Sequence, residues 1–364
     1  MKFLIILAVF GLSSIMCSCS TSKDIPQSIT SNTDHLQSEI REKRDITIDG
    51  RIYPYIKYIK NPSLGEITIL KIKTADENLI LPDSIEGLPV KEIAEKEYSK
   101  GYAVIGGKDK HKKIIVPEGV ERVNPFSFQK ATAEEIELPQ SLSTIGESAF
   151  YESQIKKVKV KSKNIDIKLE AFSYSKLKKI SFPDEFEGTF GNGCFEHTDI
   201  ESIQWPKQRE NSMDSVVRGT AFGWCTNLKE VQFPEEQDVI TIPIDCFYGC
   251  RKLAKLEFPA STKKVVYQPF AYADNNQKAG PEEIVLLGKD TQLEGGETGK
   301  EQILICAKSI ALPRESVALS SVKKIVRPTW LSESQIKDAD EHGSNYSYGK
   351  GDIKYGKINY RFIK

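Results

Sequence analysis

The sequence has no surplus of charge of either sign, because 51 lysine and arginine residues balance 51 aspartate and glutamate residues. Proteins that bind nucleic acid normally gather a basic surplus on one face, so this balance argues against a nucleic-acid partner. Beyond the first 16 residues the sequence also lacks a long apolar run. It therefore offers no candidate for a transmembrane helix.

Residues that mark catalytic and metal sites are scarce. The four histidines, His35, His111, His197 and His342, are scattered, and none stands at ligand spacing from another. No GxSxG, Walker or HExxH motif occurs, and no pair of carboxylates stands out as a general acid and base. We therefore expect no cofactor, no metal and no enzymatic activity. The long segment 207–218 is the only place left for a composite acid/base pair.

The first residues are typical of an export signal. The apolar run 3–10 is too short to span a bilayer and matches the core of a secretory signal peptide. Two cysteines follow, and Cys19 has the small Ser18 before it, whereas Cys17 follows the bulky Met16. A cysteine in this place resembles a bacterial lipobox, which implies lipidation of Cys19 as the mature N-terminus. An ordinary cleaved signal peptide is the alternative.

The segment after the signal is polar. It is rich in Ser, Thr, Asn, Asp, Gln and Lys up to about residue 44, with hardly any apolar pattern. Such a composition predicts a solvated tether that holds a domain away from a membrane surface. The expected location is the outer membrane or cell surface, with the membrane contacted only through the N-terminal lipid.

A strand-like tripeptide recurs along the chain at spacings of 22, 22, 22, 23, 28 and 25 residues. A proline usually follows it, which removes a backbone donor and helps to end the strand. The copies are IIV before Pro117, IEL before Pro139, VKV before Lys161, ISF before Pro183, IQW before Pro206, VQF before Pro234 and LEF before Pro259.

Each copy also carries an aromatic anchor, with an apolar residue five positions before it and small residues one position before and three positions after it. A unit of this length cannot bury its own apolar face, so successive units stack and share one core. Side chains alternate along a strand, so the first and third residues of each tripeptide enter the core, and the small residues allow coils to stack about 4.8 Å apart. The anchors are Tyr98, Phe128, Phe150, Phe172, Phe195, Phe222, Phe247 and Phe270.

Two segments carry a family resemblance, ELPQSLSTIGESAFYES and VQFPEEQDVITIPIDCFYGCRKL. They resemble the BspA-like leucine-rich repeat of Bacteroidetes surface lipoproteins, written roughly as LxxIxIPxxVxxIGxxAFxxC, over about residues 50–290. The chain departs from this pattern at Lys161, where proline is missing, and in the stretched repeat between Pro206 and Phe222. The resemblance implies an α/β-type repeat solenoid, right-handed, with one short parallel β-strand per coil and otherwise mostly β and loop.

The predicted organisation has five parts. After about residue 290 the register is lost: 289–301 should be a polar loop, and 303–307 and 324–326 should be strands. The last stretch, DIKYGKINYRFIK, should form a terminal hairpin that turns at Gly356, with an aromatic platform for sugar or peptide as the alternative. The parts are a signal peptide (1–18), a lipidated N-terminus and tether (19–45), an N-terminal cap (46–80), the solenoid (79–290), and degenerate repeats with a C-terminal cap (291–364).

Outward side chains are expected to form a two-column stripe along the sheet, the usual recognition surface of solenoids. Glu135 with Lys157, and Glu137 with Lys159, should lie opposite one another and could contribute about 0.2–1 kcal/mol per pair. A solvated face that only keeps the sheet soluble is the alternative. The candidate residues are Lys113, Glu135, Glu137, Lys157, Lys159, Lys179, Ser181, Gln204, Glu230, Gln232, Lys255 and Glu257.

The repeat that lacks proline is rich in lysine. This cluster could attract an anionic glycan or an acidic protein patch. A solvated surface is again the alternative. The cluster consists of Lys156, Lys157, Lys159, Lys161 and Lys163.

Two tryptophans and several cysteines fall on repeat columns. Trp205 occupies an inward strand position and should be core, whereas Trp224 follows an anchor in a turn and is a candidate contact residue. Cys246 and Cys250 fill two columns that hold Ala, Ser or Thr elsewhere, which favours buried spacer thiols over a metal or redox site. Cys225 and Cys250 share a column, so a disulfide remains possible in an oxidising compartment.

Together these features predict a monomeric cell-surface lipoprotein that binds an unidentified protein or glycan through its repeat surface, in adhesion. A structural or assembly subunit of an outer-surface complex is the alternative. Co-purification with a fixed bacterial partner, without affinity for external ligands, would favour this alternative. Unchanged binding after charge reversal at Lys157 and Lys159 would exclude the stripe as the site.

Overall fold

The computed structural model describes residues 38–93, 110–184, 186–208, 216–243, 245–267, 281–299, 302–304, 307, 309–323, 325–328, 355–357 and 359–363. The chain divides into two units, residues 1–36 and 37–364, and the described residues belong to the second. The predicted signal peptide, Cys19 and the anchors Tyr98 and Phe270 lie outside the described residues.

An antiparallel sheet begins the described unit. It consists of β1 (Glu39–Ile48), β2 (Arg51–Asn61) and β3 (Glu66–Lys73). The turn between the first two strands has positive φ at both Asp49 and Gly50, the geometry that two-residue hairpins favour. The tether predicted as far as residue 45 is therefore too long: residues 39–45 belong to β1, whose backbone pairs with β2.

A small hairpin leads from this sheet into the solenoid. It joins β5 (Ser84–Ile85) to β6 (Leu88–Ile93) through Glu86 and Gly87, both with positive φ. β6 pairs in parallel with β3, so the cap and the solenoid share one continuous sheet.

The tripeptides form a first row of parallel strands, as predicted. In each strand the first and third tripeptide residues face the core; Ile136 and Leu138, for example, are fully buried. The row consists of β4 (Asn78–Ile80), β7 (Lys113–Ile115), β9 (Glu135–Leu138), β11 (Lys157–Val160), β13 (Lys179–Ser181), β15 (Ser202–Gln204), β16 (Glu230–Gln232), β18 (Lys255–Phe258) and β20 (Glu283–Leu286).

Each coil also contributes to a second row of parallel strands, which the sequence predicts only as an apolar column. Its apolar residues, such as Ile145 and Ile167, are buried and pair in register with the next coil. The solenoid is confirmed, with two short strands per coil instead of one. The second row runs from β6 through β8 (Arg122–Val123), β10 (Thr144–Ile145), β12 (Asn164–Ile167) and β14 (Glu187–Phe190). The stretched repeat adds only an isolated bridge between Phe190 and Val217, and a separate sheet then begins with β17 (Val239–Ile242) and β19 (Lys264–Tyr267).

The aromatic anchors form a ladder through the core. Their rings are nearly parallel in successive coils: Phe150 lies 4.9 Å from Phe128 and 4.7 Å from Phe172 between ring centroids. The stretched repeat does not interrupt the ladder, since Phe222 stacks on Phe195 at 5.4 Å. Trp205 is 1% exposed, which confirms its core position.

The C-terminal segment continues both rows further than predicted. Residues 292–299 form β21 (Gln292–Gly299), which pairs in parallel with β19, so the expected polar loop is wrong over these residues. The other elements are β22 (Gln302–Leu304), β23 (Ser309–Pro313), the short helix α1 (Leu319–Val322), β24 (Ile325–Pro328), β25 (Tyr355–Lys357) and β26 (Asn359–Ile363).

The predicted terminal hairpin is also wrong. β25 pairs with β24, whereas β26 pairs in parallel with β23 and so extends the first row. Tyr360 and Phe362 face the core columns of Ile310 and Leu312, yet they are 43% and 39% exposed. Backbone pairing with a distant strand has replaced the local turn.

Candidate binding face

The outward positions of the first row form two columns, as the sequence predicts. β7, β9, β11 and β13 belong to one hydrogen-bonded sheet, and their register places Lys113, Glu135, Lys157 and Lys179 side by side. Backbone pairing divides the stripe into three groups of strands, because β15 pairs with β16 and β18 begins a further sheet. The stripe is therefore a surface with distinct parts.

Glu137 is the centre of the first charged network. Its carboxylate lies 2.6 Å from Nζ of Lys113 and 3.9 Å from Nζ of Lys161. The hydrogen bond from Lys113 holds the pKa of Glu137 below its ordinary value. The register opposite Lys159 is as predicted, but the closest cation is Lys113, whose side chain also lies 3.4 Å from Glu135.

Beside this network, eight lysines of two successive coils form what we call the lysine band. All eight are exposed. Two of them have carboxylates at the limit of an ion pair, Glu134 at 4.0 Å from Lys156 and Glu137 at 3.9 Å from Lys161; the other six have no ion pair among the described residues. The band consists of Lys156, Lys157, Lys159, Lys161, Lys163, Lys176, Lys178 and Lys179.

The sequence predicts only part of this band. Lys178 and Lys179 each donate their backbone N–H to the carbonyl of Lys156, so the lysines of the second coil continue the columns of the first. Aligning Lys178 with Lys156 in the repeat would have revealed the extension, since both stand immediately before an outward strand position.

The band is narrow. On one side Lys156 donates its backbone N–H to Glu134, and on the other Glu201 donates its backbone N–H to Lys178. The column that crosses the band therefore runs Glu134, Lys156, Lys178, Glu201. Positive charge is confined to two coils and runs along the strands, with carboxylates on both flanks.

The remaining stripe residues are less distinctive. Lys255 and Glu257 pair with each other at 2.5 Å, and Glu230 accepts a hydrogen bond from Gln232. Further along, Glu283 is held by Arg361 through two hydrogen bonds of 2.8 Å, which lowers its pKa. These parts of the stripe already satisfy their own charges.

A cavity of about 420 Å³ lies where the stripe meets the stretched repeat. Gln204 and Gln232 line it together with Lys207, whose Nζ is 3.9 Å from Glu236. Trp205 also lines the cavity, and its Nε1 has no hydrogen-bond partner among the described residues. Of segment 207–218, the predicted place for a composite acid/base pair, residues 209–215 lie outside the described part of the chain.

Trp224, the predicted contact residue, is partly buried in a row of rings on the turns. It stacks on His197 with ring centroids 5.6 Å apart, and His197 stacks on Tyr174 at 4.4 Å. Glu196 precedes His197 in the chain, and burial together with the charge of the neighbouring Glu170 raises its pKa to about 7. Since its neighbours cover the faces of its ring, Trp224 offers mainly an edge to solvent.

The four described cysteines are buried and free, as expected for spacer thiols, and the Cys225–Cys250 disulfide considered above is not formed. Sγ of Cys225 donates to the carbonyl of Phe195 at 3.0 Å, and Sγ of Cys250 donates to that of Phe222 at the same distance. Within the described ranges, no group of three or more His, Cys, Asp and Glu residues could hold a metal ion. A search of the described residues also finds no helix that is long and apolar enough to cross a membrane.

Comparison with known families agrees with the repeat columns. The family described as BspA type Leucine rich repeat region matches in six copies over residues 106–216 and 210–285. The repeat region of the chain belongs to the BspA-type leucine-rich repeat family. A comparison with curated proteins finds no relative at a significant level.

Solved leucine-rich repeat structures resemble the chain at low identity. One from T. pallidum is 19% identical, with 54% of this chain and 87% of that chain covered and a TM-score of 0.36. One from Eubacterium ventriosum is 12% identical, with coverages of 76% and 67% and a TM-score of 0.35. The pneumococcal vaccine antigen PcpA is 17% identical, with coverages of 85% and 97% and a TM-score of 0.33. Such similarity says nothing about a partner.

The BspA-type repeat also explains why Lys161 stands out. Proline, which cannot donate a backbone hydrogen bond, follows the other tripeptides from LIL at 79–81 to LEF at 256–258, whereas Leu287 follows IVL at 284–286. Lys161 donates its backbone N–H to the carbonyl of Leu138 at 3.1 Å, which adds one more bond between the coils. The same substitution adds a charge to the lysine band.

Proposed function

We propose that this chain is a cell-surface lipoprotein, anchored through Cys19, that binds a protein or glycan partner through the outward face of its first-row strands, in adhesion. BspA-type leucine-rich repeat proteins are surface proteins, and the export signal that the sequence predicts at residues 1–18 agrees with that location. The chain acts by binding and not by catalysis.

The lysine band is the observation that carries this proposal. Six exposed lysines without an ion pair to any described residue stand on two adjacent coils of a chain whose formal net charge is zero. Elsewhere on the stripe the charges pair with each other, as between Lys255 and Glu257. Like charges gathered on one face attract a partner of opposite charge and raise its rate of association.

Charge reversal tests the proposed face. Residues 20–364, immobilised, should retain binding to host-cell surfaces, and the double variant K157E/K159E should lose most of it. The control variant K110E/K289E reverses two exposed lysines outside the band and should bind like the wild type. Unchanged binding by K157E/K159E would remove this face from consideration. Co-purification with a fixed bacterial partner, and no affinity for cells, would favour the assembly subunit instead.

The proposed lipid anchor at Cys19 has its own test. Cells that express the full chain and are fed a clickable fatty acid should label the wild type but not the variant C19A. Labelling that persists in C19A and disappears in C17A would move the anchor to Cys17.

A further inference from the structure

We infer that the lysine band binds an acidic polysaccharide. The polysaccharide chain runs parallel to the strands of the two lysine-bearing coils, and therefore across the direction in which the coils stack. This inference rests on the proposed function and names the partner class of the same face. Four features of the band support it: its width, the direction of its rows, the absence of aromatic side chains and the repulsion between its opposed lysines.

The width of the band favours a thin ligand. Neighbouring strands lie about 4.8 Å apart, so two lysine-bearing strands with carboxylates on both sides leave a strip only one or two strands wide. A typical protein partner covers about 800 Å² of surface, roughly 28 Å across. An acidic protein patch of that size would also meet Glu134 and Glu135 on one flank and Glu201 on the other.

The direction of the rows favours a linear ligand. Lys157 and Lys159 lie at alternate positions of β11, so their attachment points are about 6.7 Å apart, and Lys161 follows directly after the end of this strand. Lys179 stands directly opposite Lys157 on the next strand. A chain with a negative group on each repeating unit would meet successive ammonium groups along this row.

The chemistry of the band argues against a nucleic acid. Proteins that hold single strands without sequence preference stack the bases on aromatic side chains. The outward positions of the band carry lysines and Ser181, and none of them is aromatic. Carboxylate and sulfate groups of a polysaccharide need only the ammonium groups that are present.

The repulsion between opposed lysines also favours an anionic ligand. Like charges directly opposite on adjacent strands destabilise a sheet, and Lys157 faces Lys179 in this manner. Glu135, on the other side of Lys157, is already engaged by Lys113. A polyanion laid along the strands would neutralise both ammonium groups at once.

The test uses residues 20–364 and defined probes: heparin as a sulfated chain, polygalacturonate as a carboxylated chain, neutral dextran, poly-glutamate and single-stranded DNA. At 0.15 M salt we expect binding to at least one of the two acidic polysaccharides, with none to dextran. Affinity for poly-glutamate and DNA should be at least tenfold weaker. The affinity should fall on a straight line against salt in a double-logarithmic plot.

Two variants locate the site. K157E/K179E should weaken polysaccharide binding at least tenfold, and the milder K157Q/K179Q should weaken it several-fold while keeping the fold, as checked by circular dichroism. K110E/K289E makes the same change in net charge outside the band and should stay within twofold of the wild type. Equal loss in this control would show attraction by net charge alone and overturn the site.

Two outcomes separate this inference from the proposed function. If binding to cells depends on Lys157 and Lys159 but no acidic polysaccharide binds, the function stands and the ligand class is wrong. The ligand class is equally wrong if poly-glutamate or DNA binds as tightly as the polysaccharides. If neither cells nor any probe depends on the band, both proposals fail together.

Discussion

Trp224 lies against Gly249 of the next coil, so closely that a Cβ on Gly249 would come within 2.9 Å of Cε3 of the indole. Gly249 also has a φ of +73°, a region that other residues enter only with strain. One coil thus supplies a large ring and the following coil supplies the space for it. The pair shows how residues of different coils depend on each other outside the repeated core.

The variant G249A should therefore lose about 2–4 kcal/mol of unfolding free energy, since backbone strain and overpacking act together. Gly50 provides a matched control, because its φ is +75° and no atom lies within 4 Å of a Cβ built there. G50A should lose only the strain component, about 1 kcal/mol. Urea unfolding of the two variants measures the difference. Equal losses would mean that the indole moves aside freely.

Glu86 should make the N-terminal part of the domain sensitive to acid. Its carboxylate is paired with Lys43 at 2.6 Å, Arg41 at 2.8 Å and Lys60 at 3.1 Å, and it accepts a hydrogen bond from Tyr58. These contacts, chiefly the hydrogen bond from Lys43, lower the pKa of Glu86 from its ordinary value of 4.5 to about 2. The carboxylate therefore contributes fully above about pH 4.5, and this contribution is lost as the pH falls through about 2.

At pH 7, E86Q should destabilise the chain by about 1 kcal/mol, because the ion pairs are partly screened by solvent. The difference from the wild type should shrink towards pH 2. Urea unfolding at several pH values measures it, with E77Q as control, because Glu77 is 70% exposed and its nearest cation is 3.6 Å away. A loss in E86Q that does not change with pH would contradict this account.

Relief of charge repulsion should stabilise the chain at the expense of binding. Replacing Lys179 by glutamate turns the opposed pair with Lys157 into an attractive one, worth about 0.2–1 kcal/mol relative to a neutral pair. We therefore expect K179E to unfold at higher urea concentration than the wild type, and K289E to change little. A less stable K179E would show that Lys157 and Lys179 do not repel each other appreciably.

The thiols in the core should be inert while the chain is folded. Cys225 is fully buried, and burial raises its pKa to about 12, so almost no thiolate is present at neutral pH. Iodoacetamide should leave Cys225 and Cys250 unmodified in the native chain and modify both in urea, as peptide mapping by mass spectrometry can show. Mild oxidation should likewise leave them unpaired. Rapid labelling of the native chain would indicate frequent opening of this core.

The repeat columns are predictable because every coil offers each column the same surroundings. Ile136, Val158 and Ile180 recur at one position, and a single comparison of the chain with itself identifies them as core. The second row of strands is harder to see, since Thr144 and Ile145 form a strand of only two residues whose partners belong to other coils. Its apolar member is visible in the sequence, but its backbone pairing is not.

The wrong predictions at the two ends of the domain, a tether over residues 39–45 and a loop over residues 292–299, have a common cause. β1 is highly charged and β21 contains several glycines, so neither has the composition of a strand. Each is a strand because a partner supplies backbone hydrogen bonds: β2 for the first, and β19 for the second. Only long-range pairing also explains why β26 joins β23, whose paired residues lie 50 positions earlier in the chain (Ser309 opposite Asn359), in place of its neighbour β25.

The outward stripe of the first row was predicted only in part. The outward positions and the register follow from the repeat, so the opposition of Glu135 and Lys157 is correct. The choice of ion-pair partners does not follow, because Lys113 can reach Glu137 diagonally across the strands. Long side chains choose among several neighbours, and the sequence order of the columns does not decide between them.

The even spacing of the anchor rings has a consequence for how this molecule can evolve. Phe128, Phe150 and Phe172 follow one another at 22 residues and meet at 4.9 and 4.7 Å, so each of these coils presents the same upper and lower surface. Recombination that duplicates or deletes one such unit leaves rings that still fit. Such an event in a coil before Lys156 would shift the lysine band by one coil, about 4.8 Å, relative to the antiparallel sheet β1–β3. The distance between the band and the N-terminal end of the domain can thus change in fixed steps while the residues of the band stay the same.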